Sequence, residues 1–171
     1  GVALQLEGRH AEAEDSYKRA LEIDPGYPFA HNNLGVLVWH KGDTKSAINS
    51  FRRALQAANP PVEARLNLAL GLFRRKHIDL SLEAYRHVLS TAPEHPVAWN
   101  GIGLILVELE KYPEARNAFA RAIQANPEFA EAHYNLSFTL SNLGDFSSAL
   151  RETKRALQLD PMYTPQKLEL A

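Results

Sequence analysis

Seven histidines (His10, His31, His40, His77, His87, His95 and His133) and 20 carboxylates are the side chains of this 171-residue chain best suited to proton transfer or metal binding. Their spacing serves neither purpose. Two imidazoles four residues apart would share one helix face and could grip a metal, but no His-x-x-x-His pair and no HExxH stretch occurs. A cysteine count of zero excludes disulfides, thiolate zinc sites, iron–sulfur clusters and a cysteine nucleophile. Gly101-Ile102-Gly103 sits inside an apolar helical pattern rather than after a strand, so it is not a phosphate loop. No nucleophile, base and oxyanion donors converge, and the sequence reads as a non-enzyme with no cofactor and no metal.

Amides and large apolar side chains offer a different chemistry, that of binding. Asn33, Asn67 and Asn135 stand at multiples of 34 residues, as do Val36, Leu70, Leu104 and Phe138, and as do Trp39 and Phe73. An amide donates and accepts together, so a spaced set could hold an extended peptide backbone whatever its side chains. Large aromatic side chains carry much of the energy of protein interfaces.

The same period governs the elements that must position them. Pro25, Pro93, Pro127 and Pro161 are separated by 68, 34 and 34 residues, with Pro60 one place late for the missing member. With these prolines at repeat position 32, the units run 28–61, 62–95, 96–129 and 130–163, flanked by partial units at 1–27 and 164–171. Position 20 reads Ala13, Ala47, Ser81, Ala115, Ala149, and position 27 reads Ala20, Ala54, Val88, Ala122, Ala156. Small residues there let two helices approach closely. Position 24 (Tyr17, Phe51, Tyr85, Phe119, Thr153), position 28 (Leu21, Leu55, Leu89, Ile123, Leu157), position 7 (Leu34, Leu68, Ile102, Leu136) and position 8 (Gly35, Ala69, Gly103, Ser137) are expected in the core. Alanine and leucine, both strong helix formers, dominate the composition. Each unit holds two apolar-periodic stretches with a break between them and a proline break after them, which is a helical hairpin. First helices are expected near 29–41, 63–75, 97–109 and 131–143, and second helices near 11–23, 45–58, 79–91, 113–125 and 147–159. A lone hairpin leaves one apolar face bare, so neighbours must stack to cover it.

This register resembles the tetratricopeptide repeat family: Trp99, Ile102, Gly103, Leu106, Ala115, Phe119, Ala122 and Pro127 stand at its signature places. The resemblance covers essentially the whole chain. It implies an all-α, right-handed superhelical solenoid of antiparallel helix pairs, about five repeats plus a partial terminal helix, forming a single domain over 1–171. It also implies that positions 2, 5, 6, 9, 12 and 13 of the first helices face a ligand. The candidate face is therefore Asn33, Val36, Trp39, Asn67, Leu70, Phe73, Leu104, Asn135 and Phe138. The residues that would clamp a terminal carboxylate are absent, their places holding Asn32, Val36, Glu63 and Asn67. Departures lie at Arg65 and Thr153, which replace aromatics, at Ser81 and Val88, and at Lys76 and Glu110. The last two stand where Gly8, Gly42 and Gly144 end a first helix, and they require either strain or a different turn.

A net charge of −1 lacks the basic excess that nucleic-acid binding draws on. The cluster Arg74-Arg75-Lys76-His77 suits the negative end of a helix dipole, and partner affinity is expected on the face above rather than on this cluster. The longest apolar run, Ile102 to Val107, falls far short of a membrane span of roughly 20 residues. The chain begins at Gly1 and reads as an excerpt of a longer, cytoplasmic protein. Its expected role is a scaffold or adaptor holding a peptide or an amphipathic helix of another protein. Alternatives are a substrate-recruiting module of a larger enzyme, such as a glycosyltransferase, and self-association through exposed solenoid ends.

Overall fold

The structure, a computed structural model, describes residues 9–162. Among the described residues the chain forms nine α-helices and no strand: α1 (His10–Ile23), α2 (Pro28–His40), α3 (Thr44–Ala54), α4 (Val62–Arg74), α5 (Ile78–Thr91), α6 (Pro96–Glu108), α7 (Tyr112–Ala125), α8 (Ala130–Asn142) and α9 (Phe146–Leu159). Helices α2, α4, α6 and α8 are the first helices of their repeats, and each begins one residue before its expected start. The described residues divide within α5 into two compact units, one reaching Ser81 and the other starting at Leu82. The expected partial unit 164–171 and Gly8 lie outside the described residues.

Helix α3 ends at Ala54 rather than at 58, and the misplaced proline supplies the physical difference. At three of the other four repeat boundaries an Asx residue accepts the backbone N–H two residues on: Asp24 from Gly26 at 3.0 Å, Asn126 from Glu128 at 3.1 Å, and Asp160 from Met162 at 3.0 Å, while Ala92 stands in that place at the fourth. Asn59 is followed two residues on by Pro61, which has no N–H to give. The chain makes this boundary without the Asx turn, through a run of turn and bend from Leu55 to Asn59.

Within each hairpin the link is closed by the residue at repeat position 15, in the left-handed region: Gly42 (φ 87°), Lys76 (φ 61°), Glu110 (φ 57°) and Gly144 (φ 82°). Its N–H bonds the carbonyl three residues back, and the next N–H reaches five residues back, as in Lys76 to Phe73 and His77 to Leu72, both 2.9 Å. These paired bonds satisfy the last carbonyls of the helix. Of the two outcomes open at Lys76 and Glu110, the molecule keeps the turn and accepts the strain.

The core follows the repeat. Ala47, Ala54, Ala115, Ala122, Phe51 and Phe119 have no exposed surface. The Phe51 ring lies 2.5 Å from where a Cβ on Gly35 would stand, and the Phe119 ring 2.4 Å from that of Gly103, so only glycine admits these rings. In the last repeat both partners change. Ser137 replaces the glycine, Thr153 replaces the aromatic, and their hydroxyls bond at 2.7 Å. Ser81 is likewise buried and donates to the Ala69 carbonyl at 2.7 Å. Positions 7 and 28 are less buried than expected: Leu34, Leu68, Leu55 and Ile123 are half-buried, and Leu157 is exposed.

Candidate interaction face

Repeat position 4, held by His31, Trp99 and His133, fixes the link between repeats. The ring N–H of His31 donates to the Pro25 carbonyl (2.8 Å), that of Trp99 to Pro93 (2.7 Å), and that of His133 to Pro127 (3.1 Å). Each donor sits six residues after the proline that broke the preceding helix. The other nitrogen of His133 lies 2.6 Å from a Glu152 oxygen, so both ring nitrogens face acceptors. Trp99 is further covered by Arg121, whose guanidinium carbon is 4.7 Å from the ring centre.

The amides at position 6 turn inward. Asn67, with no exposed surface, donates to the Asn32 side chain at 3.0 Å, and Asn135 donates to Asn100 at the same distance. Asn100 in turn donates to Glu131 at 2.8 Å. Asn33 accepts weakly from Asn32 at 3.3 Å and hydrogen-bonds Tyr17, partly offsetting the upward push that burial gives the Tyr17 phenol. These amides tie the first helix of one repeat to that of the next, a role the peptide-holding reading did not include. Gly101 breaks the series because the buried Tyr85 ring fills the space, 2.2 Å from where its Cβ would be. Burial raises the Tyr85 phenol well above its ordinary range, reinforced by the Glu131 charge.

Of the nine candidate residues, Asn67 and Leu70 are buried, and Leu70 packs with the core rather than presenting to solvent. In the first unit the helices α2 and α4 touch, and Asn33, Val36 and Trp39 on α2 and Phe73 on α4 are half-buried. The Trp39 ring lies near Gly71, 3.7 Å from where a Cβ there would stand. In the second unit, where α6 and α8 touch, Leu104 and Asn135 are half-buried, Leu104 packing against the cluster around Phe119 and Leu136. Phe138 is 48% exposed. Among the described residues no group of three or more His, Asp or Glu is placed to hold a metal, and no helix is long and apolar enough to cross a membrane.

Hairpins of paired helices recurring every 34 residues, with glycine–aromatic contacts inside two of them and amide bonds between the first helices of adjacent repeats, define an all-α helical-repeat protein. The chain belongs to the tetratricopeptide repeat family: family models described as tetratricopeptide repeat match residues 1–59, 32–96, 66–116 and 130–163, and one described as TPR repeat matches 103–144. No curated protein matches the chain. Among solved structures, MamA from Desulfovibrio magneticus is similar at a TM-score of 0.75 and 21% identity, over 93% of this chain and 90% of that one. PilF of Pseudomonas aeruginosa is similar at 0.82 and 20% identity, over 92% and 72%. YrrB, a TPR protein with an unusual peptide-binding site, is similar at 0.67 and 23% identity, over 94% and 83%. At such identities the likeness is one of fold.

Proposed function

We propose that the chain is a protein-interaction module that holds a peptide or amphipathic helix of another protein against the first helices of its repeats. The observation that carries this reading is Trp39, a large aromatic left half-buried beside half-buried Val36 and Phe73 on the first helices of two adjacent repeats. An apolar face of this kind usually marks an interaction site. The peptide-binding site of YrrB supports the same reading by fold. Burial of Asn67 and Leu70 narrows the face to Asn33, Val36, Trp39 and Phe73 in the first unit and Leu104, Asn135 and Phe138 in the second. Side-chain pockets, more than a ladder of amides, then select the partner.

Affinity capture with the protein identifies a partner to test. Trp39→Ala and Phe73→Ala should each weaken its binding at least about tenfold with helix content unchanged, the ordinary cost of truncating a buried anchor. Wild-type affinity in both variants would refute the assignment.

A further inference from the structure

We infer that the face in the first unit takes a partner segment in which an apolar anchor is followed by carboxylates, the anchor against Trp39 and Phe73 and the acids on Arg74 and Arg75. This rests on the docking reading above and gives that partner its chemistry. The sequence separates the aromatic strip from the cationic cluster; the structure joins them. The Arg74 guanidinium carbon lies 6.0 Å from the centre of the Trp39 ring, and Arg74 follows Phe73 directly at the end of α4.

Two observations set these cations apart. Arg74 and Arg75 are exposed and make no ion pair with any described residue, whereas Lys18 and Lys41 in the same unit both bind Glu14. Lys76 follows them at a left-handed position where two other repeats carry glycine. The helix dipole does not absorb this charge: its C-terminus amounts to roughly half a negative charge, against the two guanidiniums of Arg74 and Arg75. The nearest acid after them in sequence is Asp79, on α5. A guanidinium over an indole keeps its N–H edge open to a carboxylate, which it meets with two parallel hydrogen bonds. The surface thus offers an apolar seat ending in a cationic edge, complementary in charge to an acidic amphipathic segment.

The test uses the full chain and fluorescein-labelled synthetic peptides with one tryptophan or leucine anchor, identical except that the following residues are Asp/Glu, Ser or Lys. Binding is read by anisotropy at physiological salt. The acidic set should bind about tenfold more tightly than the serine set. Arg74→Glu with Arg75→Glu should abolish that preference and leave serine-set affinity in place, while Trp39→Ala weakens both sets. Equal affinity for acidic and serine peptides, both lost in Trp39→Ala, would overturn the charge assignment and leave the docking face standing. Binding of neither set overturns both. A single-stranded oligonucleotide that binds as tightly as the acidic peptides, independently of Trp39, would show a general polyanion site and overturn the proposal.

Discussion

Asn67 donates to Asn32 across 3.0 Å, 35 residues back in the chain, with no surface of Asn67 left exposed. Asn135 and Asn100 repeat the bond in the second unit. A buried polar atom that loses its partner bears the full desolvation penalty, about 1–3 kcal/mol. Asn67→Ala should therefore lower stability by that amount in urea denaturation, whereas Asn117→Ala, on the exposed side of α7, should stay within about 0.5 kcal/mol of wild type.

Gly103 bears the Phe119 ring so closely that an added methyl would stand 2.4 Å from it, and the ring, fully buried, has no room to retreat. Gly103→Ala should cost about 1–3 kcal/mol, the range for overpacking. Thermal denaturation followed by circular dichroism reads the loss.

Glu110 holds φ 57° without need, since its side chain is exposed. Glycine adopts that conformation freely, and the left-handed region costs an ordinary residue about 1–2 kcal/mol. Glu110→Gly should stabilise the protein by up to about 1 kcal/mol after the larger unfolded-state entropy of glycine is offset. A lowered melting temperature would contradict the strain.

Glu14 is hydrogen-bonded to Lys18 and Lys41, which hold its carboxyl at about 2, below the usual value of 4.5. A carboxylate with a depressed pKa adds stability above its unfolded value, and that stability is lost as pH falls from about 4.5 through about 2. The lysines are more than half exposed, so the contribution belongs with screened pairs, about 0.2–1 kcal/mol each. Urea titrations of wild type and Glu14→Gln should differ at neutral pH and converge near pH 2.

Sequence periodicity sufficed for the helices because glycine, alanine and the aromatic at fixed positions report the close helix contacts directly. It fell short at Asn59, where the proline shift mattered through the N–H that Pro61 lacks. Thr153 stands in the sequence only as a departure from the aromatic because its compensation, the hydroxyl of Ser137, lies on another helix. Asn33, Asn67 and Asn135 were legible as a recurring amide, but a side chain's repeat position does not say whether its bonds run outward or to Asn32, Asn100 and Tyr17. Arg74 and Trp39 belong to different helices 35 residues apart, so only the folded structure brings them together.

The two tryptophans give the most direct test of the docking face, because one lies on it and the other is held by internal bonds. In isotope-labelled protein titrated with the captured partner or an acidic-anchor peptide, the indole N–H signals of Trp39 and Trp99 can be followed separately. Docking on the first unit's face requires that the Trp39 signal move with saturation while the Trp99 signal, fixed by the Pro93 carbonyl and Arg121, stays in place. A titration that saturates with Trp39 unmoved would contradict it.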